Sequence, residues 1–311
     1  MKNPIVIRYK NNPILTKDAV PYEVATVHNA GVVKFNDKYI MLFRSHLHNG
    51  RSIIGIAESD DGYDFKVGAE PFLTPSSDSA FGEYEEYGVE DVRISQIDDE
   101  FLLTYSAYSR HGVRIGLAKT KDFKTVERIS LITQSDLRNV VIFPQKINGK
   151  YVRLDRPHSE ISKWSIWISY SPDLVHWGDS KLIIKPETYH WDEMKIGPGA
   201  TPIKTDKGWL NIYHGVFETM SGVVYRLGVA LHELEDPSVI IGVADNWILQ
   251  PEDTWEIVGY VSNVVFTCGA VPEEDGSVKI YWGGADSVMC VGSANINDLV
   301  DLCLNNSRKP L

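Results

Sequence analysis

Cysteine is scarce in this chain: only Cys268, Cys290 and Cys303 occur in 311 residues, all late and without metal-ligand or CxxC spacing. That pattern argues against a disulfide framework. The histidines do not pair at ligand spacings either, so the expectation is no metal. Basic residues are outnumbered, 31 Lys and Arg against 42 Asp and Glu, leaving a formal net charge of −11. A nucleic-acid or anionic-membrane partner needs the opposite field, so neither is expected. No apolar run approaches the length of a membrane span, and Met1-Lys2-Asn3-Pro4 is too polar and too early broken by proline for a signal peptide. The chain therefore reads as cytoplasmic. Phosphate-binding P-loops, dinucleotide glycine fingerprints, HExxH and G-x-S-x-G elbows are all missing. Helical periodicity is nearly absent before the last turns.

What is present is β structure. Hydrophobic residues make up 43% and charged residues 23%, the balance of a globular protein with a sizeable core. Short runs of β-branched and aromatic residues alternate with Asn, Asp and Gly turns, as in Gly31–Phe43, Ile97–Tyr105 and Ile147–Leu154, each the pattern of a hairpin. A strand of the form Ile/Val-Gly-φ-Ala followed by a polar turn recurs at Ile54, Ile115, Ile166 and Leu227, and more weakly at Met289, at intervals of about 50 to 60 residues. Five such units in one chain predict a radial array: an all-β, five-bladed β-propeller. No linker-like segment interrupts the series, so residues 1–311 read as one domain. Ile296–Leu304, with Asn295 or Asn297 as N-cap, predicts a short C-terminal helix.

In a propeller the innermost strands converge on a central channel, so functional residues should be scattered through the sequence. Glu90 and Asp91 begin a strand, and strict alternation puts Arg93 on the face of Asp91. A carboxyl there can serve acid chemistry, an internal ion pair or a turn cap. Arg138 and Asn139 open a strand whose hairpin carries Lys146, Lys150 and Arg153, which read as solvated charges. Arg156, before Pro157 and beside Asp155, does not fit that explanation. Lys195 precedes a glycine-containing turn, and His214 lies within an apolar strand, as a core residue or a catalyst.

Taken in order, Asn29-Ala-Gly-Val, Phe43-Arg44, Gly88-Val-Glu-Asp91-Val-Arg93, Arg138-Asn139, Asp155-Arg156-Pro157, Lys195-Ile-Gly, Tyr213-His214-Gly and Gly284-Ala-Asp286 resemble glycoside hydrolase family 130 from about residue 4 to about residue 304. The resemblance implies a five-bladed propeller that cleaves β-mannosides by inverting, reversible phosphorolysis, giving α-mannose 1-phosphate and a shortened sugar. It implies Asp91 as the general acid, acting through the mannose 3-hydroxyl. It also implies Asn29, Arg44, Arg93 and Asp286 as sugar-binding residues, and Arg138, Asn139, Arg156, Lys195, His214 and Tyr225 around phosphate. Inorganic phosphate is then a co-substrate, and no cofactor is called for. Physical reasoning agrees: a phosphate nucleophile needs fixed cations to orient it, whereas an inverting hydrolase needs a second carboxylate to activate water. A hydrolase of the same family and a non-catalytic mannoside-binding propeller are the alternatives.

The sequence departs from the family pattern at Val92, where proline is usual, and at His28, where phenylalanine is usual. The former leaves the presentation of Asp91 open. Tyr87–Asp91 with Tyr105–Gly116 resembles members acting on β-1,2-linked rather than β-1,4-linked mannosides, and Tyr108, Arg110 and His111 border the acceptor side or form an exposed hairpin. The many aromatics allow homo-oligomers, though no self-complementary patch is readable.

Overall fold

Asn36 and Asp37 both take positive φ, 50° and 59°, which Asn and Asp tolerate better than other side chains. They make the tight connection that the sequence pattern predicts between the first two long strands. Asn148 and Gly149 do the same at 51° and 78° in the hairpin after Ile147. The computed structural model describes residues 4–311, and such turns organise nearly all of it.

A short β1 (Ile7–Arg8) precedes a first group of strands, β2 (His28–Phe35), β3 (Lys38–His46), β4 (Ser52–Ser59) and β5 (Lys66–Val67). Helix α1 (Ser79–Glu85) leads into a second group, β6 (Gly88–Ile97), β7 (Glu100–Ser109), β8 (Gly112–Thr120) and β9 (Glu127–Leu131). The third is β10 (Leu137–Ile142), β11 (Tyr151–Pro157), β12 (Ile166–Ser171) and β13 (Gly178–Ile184). The fourth is β14 (Lys195–Pro198), β15 (Ile203–Lys204), β16 (Trp209–Thr219), β17 (Gly222–His232) and β18 (Ile240–Ala244). Helix α2 (Thr254–Ile257) precedes the fifth, β19 (Val265–Pro272), β20 (Ser277–Gly284) and β21 (Val288–Asn295), after which come α3 (Ile296–Asn305) and β22 (Ser307–Arg308). Pairing inside every group is antiparallel, and β1 completes the fifth group by pairing with β21. The first two groups are joined by a single parallel pair, Ser52 with Gly88, so hydrogen bonding alone gives four sheets.

The recurring Ile/Val-Gly-φ-Ala segments fall on β4, β8, β12, β17 and β21, the third long strand of each group. The turn that follows repeats as well. Asp61, Asp122 and Asp173 each accept backbone N–H bonds from the residues two and three places on, at 2.8 to 3.0 Å.

Packing follows the same succession. One core, around Ile54, Val89 and Leu103, lies between the first and second groups. Another, around Leu117 and Ile142, lies between the second and third, and one around Leu154, Ile168 and Tyr213 between the third and fourth. Ile212, Val229, Ile280 and Leu299 pack the fourth against the fifth. Met41, Phe43, Tyr281 and Val291 pack the fifth back against the first. The first strands of the groups touch in turn: a Cβ on Gly31 of β2 would stand 2.7 Å from Val92 O of β6, and Ser95 Oγ of β6 donates to Ile142 O of β10 at 2.6 Å. The C-terminal helix forms as expected, with the Asn295 side chain accepting from Asn297 N and Asp298 N.

One expectation fails. Arg153 is not a solvated hairpin charge: it is buried, its Nε donates to Asp155 Oδ2 at 3.0 Å, and its guanidinium lies over the Trp177 ring.

Candidate active site

Asn29, Asp91 and Asn139 occupy equivalent places in three successive groups. Each lies in the first strand, where the register with the second strand slips: between His28 and Gly31, Glu90 and Arg93, and Arg138 and Val141. Each takes positive φ, 49°, 53° and 61°. A bulge with one residue in the left-handed region re-aims that side chain out of the sheet's alternation, and Asn and Asp pay least for the conformation. Asp286, also at positive φ in the turn after β20, joins them from the fifth group.

The three bulges and this turn deliver the four side chains to one cavity of about 160 Å³, lined also by Arg44, Arg138, Arg156 and Tyr225 and walled by Val264 and Phe266. A roomier cavity of about 410 Å³ lies at the other ends of the same inner strands, but its lining, Val33, Ile94, Pro144, Ile203 and Val271 among others, contains no carboxylate. The smaller one gathers the carboxylates and the guanidinium groups.

On one side the cavity is acidic. Asp91 Oδ1 accepts from Asn29 Nδ2 at 3.0 Å and from Arg44 Nη1 at 3.2 Å. Arg44 also donates to Glu90 Oε1 at 2.8 Å, and Ser52 Oγ donates to the same oxygen at 2.9 Å. Burial pushes the Asp91 carboxyl up, but Arg44, Arg93 and Asn29 outweigh it and hold it at about 2. Asp286 goes the other way: burial raises it to about 6, against the pull of Arg44 and with help from the Asp91 and Glu90 charges. Two carboxyls of one cavity thus differ in proton affinity, Asp286 being the one that protonates first as the pH falls.

The other side is cationic. Arg156 Nη1 donates to His214 Nε2 at 3.0 Å, and its Nε is buried without a partner. Strand alternation on β11 explains its isolation, since Asp155 faces away to Arg153 and Ser169. Among the described residues neither Arg156 nor Lys195 has a carboxylate within salt-bridge distance, and Arg138 has only Glu90, at 3.9 Å. Burial, with Arg138 and Arg93 adding, brings the Arg156 guanidinium down to about 10. Burial, Arg156 and Arg138 bring the Lys195 ammonium down to about 8. Burial and the surrounding cations keep His214 neutral, well below the usual imidazole range.

Eight of the eleven sequence candidates line the cavity; Lys195, His214 and Arg93 do not. Lys195 and His214 adjoin it, Lys195 over the Tyr225 ring and His214 through Arg156. Arg93 stands apart. The bulge at Asp91 breaks the alternation that would have placed both on one face, and the Arg93 guanidinium donates to Gly199 O at 2.7 Å, Asp91 O at 3.0 Å and Pro198 O at 3.2 Å. It braces the backbone that carries Asp91. Sequence reasoning missed the role of Glu90 as the partner of Arg44, signalled only by the polar density of residues 82–93, and that of Ser52 behind it, which no local pattern signals. Of the acceptor-side candidates, Arg110 pairs with Glu86 and His111 with Glu83 on the surface, while the Tyr108 ring lies under Arg138.

Away from the cavity, Glu187, His190 and Asp245 each bring a ligand-type atom within 4.8 Å of the others. His190 is already held by buried Asp192 at 2.9 Å, and Arg308 lies 3.7 Å from Glu187, which makes the group an ion-pair network.

Buried carboxylates facing Arg138, Arg156 and the adjoining Lys195, delivered by the first and second strands of the groups in a repeating all-β array, make a site fit to bind an anion beside an acid. The family model described as beta-1,4-mannooligosaccharide phosphorylase matches residues 2–305, and the chain belongs to that family, glycoside hydrolase family 130. It is 32% identical to the beta-1,2-mannobiose phosphorylase of Listeria innocua serovar 6a, over 95% of this chain and 97% of that protein. With the 1,2-beta-oligomannan phosphorylase of Thermoanaerobacter sp. strain X514 it shares 35% identity, over 94% and 98%. Among solved structures, the Listeria innocua beta-1,2-mannobiose phosphorylase in complex with beta-1,2-mannobiose superimposes with a TM-score of 0.88 at 31% identity, covering 96% of this chain and 99% of that one.

Proposed function

We propose that the protein is an inverting β-mannoside phosphorylase, which transfers the terminal mannosyl unit to inorganic phosphate, giving α-D-mannose 1-phosphate and a sugar one unit shorter, reversibly. The observation that carries this reading is the pair of cations, Arg156 and Lys195, held without carboxylate partners beside Asp91 in a chain of net charge −11. Buried like charges are costly unless an anion joins them, and arginine is suited to bidentate phosphate binding. An inverting hydrolase would place a carboxylate where these cations stand.

Asp91 is the proton donor, through the mannose 3-hydroxyl. Its low resting pKa means that the proton is acquired in the ternary complex, where the negative charge of phosphate beside it raises the pKa. Asn29, Arg44 and Asp286 hold the sugar. Arg138, Asn139, Arg156, Lys195, His214 and Tyr225 hold phosphate, with His214 accepting from Arg156 rather than contributing charge. Arg93 acts by positioning Asp91. The five strand groups are the blades of one five-bladed propeller forming a single domain, a reading supported by the five cores between successive groups of the described residues 4–311. A β-1,2 linkage is favoured over β-1,4, as both relatives quoted above bear β-1,2 names, although the family model bears a β-1,4 one.

The test is to incubate the protein with β-1,2- and β-1,4-mannobiose, with and without phosphate. Mannose 1-phosphate formed only with phosphate supports the proposal; free mannose without phosphate makes the protein a hydrolase, and binding without turnover makes it a binding module. Asp91→Asn should lower phosphorolysis by about 10³-fold, within the range for loss of a general acid.

A further inference from the structure

Arg44, Arg138 and Arg156 line this cavity and Lys195 adjoins it, yet among the described residues Arg156 and Lys195 have no carboxylate within salt-bridge distance. Something must hold them together while leaving their charge available. Both lie against one indole: the Arg156 guanidinium is 5.3 Å and the Lys195 ammonium 4.9 Å from the Trp164 ring centre. Trp164 belongs to the connection 158–165 between β11, which carries Arg156, and β12, and it is fixed at several points. Its Nε1 donates to Ser159 O at 2.9 Å, and His158 stacks on it at 4.1 Å with rings 10° from parallel. Its carbonyl accepts from Ile196 N at 2.9 Å, which fastens the connection to β14 next to Lys195. His158 N in turn donates to Asp136 O just before β10.

We propose that Trp164 is a positioning residue of the phosphate subsite: its π face holds Arg156 and Lys195 in register for the anion without neutralising them. The inference rests on the phosphate role assigned above to those two cations. A carboxylate in the same place would bind them more strongly, but it would compete with phosphate for the same N–H groups. The quadrupole of an aromatic ring attracts cations while offering no acceptor that phosphate must displace. Tryptophan is the aromatic residue best suited to this, and its indole N–H is spent on Ser159, away from the cations. Tyr225 contributes a second face to Lys195, at 5.5 Å, from β17.

The experiment compares Trp164→Phe, Trp164→Leu and Trp164→Met in steady-state phosphorolysis, measuring KM for phosphate and for the mannoside separately. Arg156→Ala and Lys195→Ala are run alongside. Leucine and methionine keep an apolar side chain but remove the π face, and are expected to raise KM for phosphate about 10-fold while KM for the mannoside changes less than about 2-fold. Phenylalanine restores a π face and should return KM for phosphate to within about 3-fold of wild type. Equal increases in both KM values, a fall in kcat alone, or a phenylalanine variant no better than the other two would overturn the inference. Should the leucine variant fail to fold by circular dichroism, the methionine-to-phenylalanine ratio gives the same reading. If Trp164→Leu leaves KM for phosphate unchanged while the Arg156 and Lys195 variants raise it, only the role of Trp164 fails. If those variants leave it unchanged too, the phosphate assignment itself has failed.

Discussion

Replacing Arg156 with methionine should make the protein more stable and less able to bind phosphate. The guanidinium is buried, its Nε has no partner, and its one side-chain hydrogen bond goes to the neutral His214 ring. Burial and the neighbouring Arg138 and Arg93 lower its pKa from 12.5 to about 10. A base whose folded pKa is depressed binds its proton less tightly in the folded than in the unfolded chain. The destabilisation is complete wherever the group is charged in both states, below about pH 10, and is relieved only as the pH climbs through that value. At pH 7 the whole penalty is therefore present, roughly 3 kcal/mol at about 1.36 kcal/mol per pH unit. Methionine fills most of the volume and removes the charge, but it forfeits the contact with Trp164, worth about 0.5 to 2 kcal/mol, and leaves His214 without its donor. With about 1 kcal/mol lost at the His214 nitrogen, the expected net gain is at most about 1.5 kcal/mol, or roughly 2 °C in Tm for a chain of this length. Phosphate reverses the order. At about 100 times its Kd it should stabilise wild type by about 2.7 kcal/mol and the variant by much less. Differential scanning calorimetry with and without phosphate reads both effects. A variant whose Tm falls in phosphate-free buffer, yet rises on adding phosphate as much as wild type does, would refute the view of Arg156 as a cation held for an anion.

Three further outcomes follow from the geometry. Gly283→Ala would set a methyl carbon 2.4 Å from Asn29 Oδ1 and 2.9 Å from its backbone N, displacing the side chain that donates to Asp91; kcat should fall about 10- to 100-fold, and an unchanged kcat would remove Asn29 from the positioning of the acid. Because Lys195 is held down to about 8 by burial and by its cationic neighbours, the free enzyme loses that charge as the pH rises through about 8, so KM for phosphate should climb above that pH, and Lys195→Arg should abolish the limb; a flat profile in wild type would contradict the assignment. Asn295→Ala removes the side chain that accepts from Asn297 N and Asp298 N at the start of α3, and should cost about 1 kcal/mol in urea unfolding without altering activity.

How much of this was legible beforehand depends on which physical rule governed each residue. The hairpins and α3 obey local rules, turn residues at positive φ and an N-cap, and they stand where the pattern put them. The five-unit periodicity was equally readable, since each unit must present the same third strand to its neighbours. Period-2 reasoning failed at two places in opposite ways. On β11 it held but was not applied: alternation sends Arg153 and Asp155 to one side and Arg156 to the other, so Asp155 could never have partnered Arg156. On β6 it was applied but did not hold, because the bulge at Asp91 turns that side chain toward Asn29 while Arg93 reaches Gly199 and Pro198.

That second failure carries the general point about the site. A bulge is invisible to apolar alternation, yet it leaves a mark in composition, since a left-handed residue inside a strand is best supplied by Asn or Asp. Here the mark is repeated: Asn29-Ala-Gly-Val, Asp91-Val-Arg-Ile and Asn139-Val-Val-Ile each set a short polar side chain at the head of an apolar strand, and all three lie at positive φ. Val92 is compatible with this geometry, because it is fully buried and Asp91 adopts the same conformation as its two counterparts. The fold thus makes one backbone device in each of its first three units and varies its side chain between acid and amide. A polar Asn or Asp recurring at the head of successive strand groups, rather than the chemistry of any single stretch, is the signal by which these three residues are found together.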